Sequence, residues 1–244
     1  MYLVYVHFMG LWPKLLEDMC ELKRAGFVNR GGRIAEIGQQ QLTDQFLHAD
    51  KLLAEVYQLF EAPRIRLGTP VGADNFTEHA PLARPFWQSL GFEYVAIDLV
   101  GDNIIKLDLN RDAVPLQLQH TQDIVLNGGT TEHVANQDNA FRCIHDLTKP
   151  NGIMIHAVPC QGLMTHGLVN YTLKFFWHLC RENDYEALSL RLGIGPEQPM
   201  ERNMIEFGVH FGKPEPLDPV PFRNCYIAAI LRKPHSRAFV TPMG

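Results

Sequence analysis

The sequence predicts an α/β fold, a mainly parallel sheet with helices on both faces. Short, nearly continuous apolar runs recur along the chain, as in strands buried on both sides. Segments with apolar residues at three-to-four spacing separate them, as connecting helices do. The 244 residues suffice for a single domain, 1–244, with a sizeable core.

Taken in order, residues 11–26 place Leu15, Met19 and Leu22 on one face of an N-terminal helix closed by Gly26. Arg33–Gly38 reads as the first strand. Thr43 then caps a helix carrying Phe46, Leu53, Val56 and Phe60. Residues 92–99, 104–109 and 123–127 read as the next three strands, and Phe141, Ile144 and Leu147 mark the helix that follows. Residues 153–158 give a fifth strand, Leu168–Cys180 a helix, 185–192 a sixth strand and 226–232 the last. Prolines and glycines punctuate 61–85, and 194–224 is rich in proline. Both stretches read as insertions that serve as lids or substrate walls.

Composition narrows the function. Hydrophobic residues at 46% and charged residues at 20% exclude disordered and fibrous classes. The 22 Lys and Arg against 27 Asp and Glu oppose a surface built to neutralise phosphates, so no nucleic-acid partner is expected. No apolar run approaches the roughly 18–20 residues that span a bilayer, and the N-terminus lacks a leader's basic stretch and cleavage site. The expectation is a cytoplasmic protein with no membrane partner. Five cysteines, none in C-x-x-C spacing, fit neither a disulfide framework nor a zinc knuckle.

In an open parallel sheet, ligands bind beyond the carboxyl ends of the strands, where strand order reverses. The candidate binding residues are therefore Glu36, Ile37, Gly38 and Gln39 after the first strand, then Asp98 and Leu99, Asp108 and Leu109, and Asn127 and Gly128. Gly38 lets a ligand approach the backbone closely. Asp98 offers two acceptors for a ribose diol, and Asp108 an acceptor for an exocyclic amine. A second cluster holds Glu132, His133, His156, His166 and Tyr171. His133, His166 and Tyr171 are the candidate catalytic residues, since an imidazole titrating near pH 6.5 suits a general base. With no H-E-x-x-H and no tight His/Asp triad by spacing, no metal is expected.

These motifs resemble the class I S-adenosylmethionine-dependent methyltransferases over residues 33–232. Arg33-Ile-Ala-Glu-Ile-Gly38 is similar to the family's first motif, Tyr94-Val-Ala-Ile-Asp98 to its second and Ile105-Lys-Leu-Asp108 to its adenine-side motif. Asp123-Ile-Val-Leu-Asn127 resembles the fourth-strand motif, and Lys149-Pro-Asn-Gly152 the turn before strand five. The run Gly129-Thr-Thr-Glu-His-Val134, with His166-Gly-Leu-Val-Asn170-Tyr171, resembles a subgroup with this sequence after strand four. Two departures stand out. Gln39, Gln40 and Gln41 replace the usual G-x-G, and the 61–85 insertion lengthens the interval from Gly38 to Asp98.

The resemblance implies a Rossmann-like seven-stranded sheet whose last strand runs antiparallel between the fifth and sixth. It implies S-adenosylmethionine as cofactor, with Glu36 and Gly38 facing its methionine part, Asp98 its ribose and Asp108 its adenine. The activity implied is methyl transfer to oxygen or nitrogen of a small-molecule acceptor. Another transfer reaction in the same pocket, or a binding protein on a degenerate fold, stays open. So do the acceptor's identity and assembly into a homo-oligomer.

Overall fold

The computed structural model describes residues 10–68, 80–163, 166–194, 198–203 and 225–243. The first half runs α1 (Pro13–Arg24), β1 (Arg33–Ile37), α2 (Asp44–Leu47), α3 (Asp50–Leu59), α4 (Arg84–Ser89), β2 (Glu93–Asp98) and β3 (Ile105–Lys106). The second runs β4 (Gln122–Gly128), α5 (Gln137–Leu147), β5 (Thr148–Gln161), α6 (Leu173–Asn183), β6 (Glu186–Ile194), β7 (Gln198–Asn203) and β8 (Cys225–Arg232).

The strands form one sheet in the order β3-β2-β1-β4-β5-β8-β6-β7. β1 to β5 are parallel where they pair, and β8 runs antiparallel between β5 and β6. Without the outer strand β7 this is the seven-stranded order expected, with the last strand antiparallel. β7 is an addition, pairing antiparallel with β6 inside the stretch read as an insertion, 194–224. Pro199 hid it, because proline disqualifies a central strand and is tolerated only at a sheet edge. Residues 69–79, 195–197 and 204–224 of the two expected insertions lie outside the described residues.

Alternation along the strands builds two cores. Ala35, Ile37, Val125, Met154, Ile227 and Leu231 face α5 and α6. Ile34, Ile124, Leu126, Ile153, Ile155 and Ile230 face α1, α3 and α4. Covering both faces with helices is what makes these strands read as continuous apolar runs.

Four local expectations need correction. The helix from Thr43 is broken into α2 and α3. Thr43 does cap it, its hydroxyl accepting from Phe46 N at 3.1 Å, but His48 turns its own Nδ1 onto the Asp44 carbonyl at 2.8 Å and the chain restarts at Asp50. Pro85, read as the close of an irregular stretch, instead occupies the first turn of α4, where a missing N–H is harmless. That helix plants Phe86 and Trp87 in the core, both fully buried. The 104–109 strand shrinks to two residues, so Asp108 and Leu109 sit in the loop beyond it. The helix expected from Leu168 starts at Leu173, capped by Thr172, whose hydroxyl accepts from Phe175 N at 3.2 Å.

Candidate active site

Strand order reverses between β1 and β4, so the open crevice beyond their carboxyl ends is where a ligand is expected. The β1 end is built around Glu36, which is wholly buried. Its carboxylate accepts from Trp87 Nε1 at 2.6 Å, Tyr94 hydroxyl at 2.5 Å and Gln40 N at 3.0 Å. Burial pushes its pKa up to about 7, against the pull of those three donors. Glu36 is thus saturated by the protein and fixes the path of the loop behind β1.

Gly38 holds a φ of +76°, which favours glycine, and a side chain there would collide with the Thr130 hydroxyl. That hydroxyl donates to Ile37 O at 2.6 Å. The close approach that Gly38 permits is therefore made by the turn after β4. Gln40 fills the seam between the two turns. Its Nε2 donates to Ile37 O at 3.3 Å and Gly38 O at 3.4 Å, which orients its Oε1 toward Gly128. That Oε1 is buried without a hydrogen-bond partner.

At the neighbouring β2 end, Asp98 is half-buried and bonds only backbone. Its Oδ2 accepts from Gln39 N at 2.8 Å and its Oδ1 from Leu99 N at 2.7 Å and Val100 N at 3.4 Å, leaving acceptor capacity on Oδ2 for a further donor. The Gln39 side chain donates to Asp102 O at 3.1 Å, closing the loop beyond β2. Leu99 is exposed, whereas Ile37 and Leu109 are buried. Asp108 accepts from Asn110 N at 2.9 Å and Asn110 Nδ2 at 3.1 Å, and these bonds hold its carboxyl below the usual range.

The β4 end carries a second internal network. Asn127 is buried, donates to Thr131 Oγ1 at 2.8 Å, and accepts from Thr131 N at 3.2 Å. Its amide also lies 3.3 Å from Nδ1 of His156. His156 is buried against Phe141 and Phe176, and burial pushes its pKa down to about 3. The Tyr171 hydroxyl donates within this network, 2.8 Å from Thr131 Oγ1 and 2.5 Å from Gln137 Oε1. Tyr171, expected as a catalytic residue, is 2% exposed and braces the turn after β4. His133 and His166 meet edge to face, ring centres 4.9 Å apart, with His166 Nε2 3.3 Å from buried Glu132 Oε1.

A cavity of about 490 Å³ opens between α1 and the ends of β4, β5 and β8, within the roughly 300–1,000 Å³ range of small-molecule sites. Trp12, Asp18, Gln45, Ala157 and Tyr226 are among its walls. Of the binding and catalytic residues expected from sequence, only Gly128 lines it. Trp12 and Tyr226 escaped the sequence reading because they come from opposite ends of the chain. Asp18 accepts from Arg191 at 2.7 Å through one oxygen. Its other oxygen has no hydrogen bond, with Lys14 Nζ 3.7 Å away.

The acceptors at these strand ends fit S-adenosylmethionine, which carries an ammonium group and a ribose diol. Gln40 Oε1, buried without a hydrogen-bond partner, lies at the β1–β4 seam, and Asp98 ends the neighbouring strand. No helix among the described residues is long and apolar enough to cross a membrane.

Known proteins resemble the chain in fold. A putative sarcosine dimethylglycine methyltransferase from Galdieria sulphuraria shares the fold, with a TM-score of 0.51 at 12% identity over 93% of each chain. A 1,6-didemethyltoxoflavin-N1-methyltransferase from Burkholderia thailandensis, solved with its substrate and S-adenosylhomocysteine, gives a TM-score of 0.49 at 11% identity, over 90% of this chain and 78% of that one. No curated protein matches the sequence. A family profile described as a methyltransferase domain matches residues 68–208, more than half of the chain. The chain belongs to this methyltransferase domain family, whose methyl donor is S-adenosylmethionine.

Proposed function

We propose that the chain transfers a methyl group from S-adenosylmethionine to oxygen or nitrogen of a small polar acceptor. One observation carries this reading. The neighbouring ends of β2, β1, β4 and β5 present, in that order, Asp98, the Gln40 seam, Gly128 and the 490 Å³ cavity. A donor lying from Asp98 to Gly128 would point its reactive end at the cavity, where the acceptor would sit.

The bound cofactor supplies a methyl on a sulfonium, open to in-line displacement by an acceptor lone pair. The chain's own residues do the positioning, which supplies much of the acceleration of such a reaction. Asp98 would hold the ribose, Asp108 the adenine, and Gln40 Oε1 the amino group. Glu36, Ile37, Gly38 and Asn127 keep the two turns in place, while Leu99 and Leu109 flank the adenosine side. Lys14, Glu17, Asp18 and Gln45 are among the walls of a mostly apolar cavity, which favours an acceptor that offers hydrogen-bonding groups. His133 and His166 stand outside the cavity walls, and a base is needed only where the acceptor must lose a proton. The Gly129–Val134 run supports membership of the subgroup with that sequence after strand four.

The test is calorimetric titration of the folded protein with S-adenosylmethionine and, separately, S-adenosylhomocysteine. Micromolar binding of both is expected. Absence of binding to either would overturn the reading in favour of a non-catalytic binding protein. Methyl-labelled cofactor then separates methyl transfer from any other transfer, since only the former moves the label to the acceptor.

A further inference from the structure

We propose that Glu132, His133 and His166 form a site for one divalent transition-metal ion of the zinc class. Each offers a ligand atom, and the three atoms lie within 4.8 Å of one another. The His166 Nε2 to Glu132 Oε1 separation is 3.3 Å. Two ligands bonded at 2.0–2.2 Å to a tetrahedral ion stand about 3.3–3.6 Å apart, so this edge already has coordination geometry. It is long for a direct charge-assisted hydrogen bond, which runs about 2.7–2.9 Å.

Glu132 itself asks for a cation. Its side chain is wholly inaccessible to solvent, and Oε2 has no hydrogen-bond partner. A buried carboxylate oxygen without a donor is costly, and a metal ion is one of the few groups that offsets it. Two imidazoles and a carboxylate suit zinc and its transition-metal neighbours, whereas magnesium and calcium prefer oxygen ligands throughout.

Backbone hydrogen bonds and close packing join the segments that carry the three residues. Glu132 O accepts from Leu168 N at 2.8 Å and Val169 N at 3.1 Å, bolting the loop after β5 to the turn after β4. Gly167 passes so close that a Cβ there would stand 2.9 Å from Glu132 Cγ, so the loop lies flush against the ligand. An ion at this site would clamp the ends of β4 and β5 together. Spacing hid it, since Glu132 and His166 are 34 positions apart.

The test uses the tag-free full chain, stripped with a chelator and titrated calorimetrically with zinc and, in a parallel arm, magnesium. One zinc per chain is expected, with magnesium at least about 100-fold weaker. His166→Gln keeps a donor for Glu132 but is a poor ligand, so zinc affinity should fall at least about 100-fold. His133→Ala should act likewise, and His48→Ala, just after α2, should leave affinity unchanged. Zinc should raise the melting temperature of the parent chain and not of folded His166→Gln. No stoichiometric uptake by the parent, or uptake undiminished in folded His166→Gln, would reduce the cluster to an ion pair and overturn the proposal. Binding of S-adenosylhomocysteine is read separately, so either proposal can fail alone.

Discussion

Two acids end neighbouring strands of this sheet and do opposite work. Glu36 on β1 is wholly buried and takes its donors from Trp87, Tyr94 and the loop amide of Gln40. Asp98 on β2 is half-buried and takes only backbone amides, from Gln39, Leu99 and Val100. Two core side chains converging on a carboxylate make it part of the scaffold. Backbone amides alone leave it facing outward, with acceptor capacity to spare. The residue type does not separate these roles; burial and the source of the donors do.

The sharpest way to break this contrast is Glu36→Leu. It removes the acceptor for the indole N–H, the phenol O–H and a main-chain N–H, all in or beside the core. Each unsatisfied donor costs about 1–3 kcal/mol, so a loss of at least about 3 kcal/mol is expected from the shift in urea midpoint. A change below 1 kcal/mol would mean that water reaches the Glu36 pocket and that the scaffold reading is wrong.

The same burial predicts a pH signature. The folded pKa of Glu36 is raised from 4.5 to about 7, so folded protein holds its proton where unfolded chain has released it. Its contribution is therefore fully present below about pH 4.5 and is lost as pH rises through 7. The shift corresponds to roughly 3 kcal/mol. Denaturation midpoints of the parent and of Glu36→Gln, compared from pH 5 to 8, isolate it. The parent should lose stability relative to the variant as pH rises, and a constant gap would refute the assignment.

Asp98→Ala should show the opposite balance. The three backbone amides it leaves lie at a half-exposed turn where water can replace the carboxylate, so stability should change by less than about 1 kcal/mol. Affinity for S-adenosylhomocysteine should fall about 10–100-fold, the worth of charge-assisted hydrogen bonds to a diol. Lost stability with unchanged affinity would place Asp98 beside Glu36 as scaffold.

How much of this was legible follows the same line. Strands buried on both faces announce themselves as apolar runs, so the sheet could be read from Ile34, Val125 or Ile155 without knowing their partners. The edge strand β7, with Pro199, and the short helix α4, with Pro85, could not, because each carries a residue that normally breaks its element. Within the site, Asp98 was legible as an acid ending a strand. The contacts of Tyr171 and Asn127 with Thr131 were not, because a hydroxyl or amide aimed at a ligand and one aimed at Thr131 look alike in sequence. The Glu132–His166 contact and the cavity between Trp12 and Tyr226 both depend on long-range closure, which local spacing does not encode.

Asp108→Ala tests how far the outward-facing class extends, with the smallest expected effect. Asp108 follows a two-residue strand, and its carboxylate is already engaged by the Asn110 amide and side chain, with Arg111 3.7 Å away. Those bonds stabilise its charged form, as its lowered pKa records. They also use acceptor capacity that a ligand amine would compete for. A single bond to a carboxylate already shared with Asn110, at an open and solvated site, should weaken S-adenosylhomocysteine affinity only about 2- to 10-fold when lost. Replacing Asp108 with Asn, which keeps one acceptor oxygen for Asn110, should weaken it less still. If Asp108→Ala matched Asp98→Ala, the adenine end would be an anchor equal to the ribose end, and the contrast would lie between β1 and both its neighbours on that side. If it had no effect on affinity, Asp108 would be a turn residue, closing its loop on Asn110 as Asn127 closes its own on Thr131.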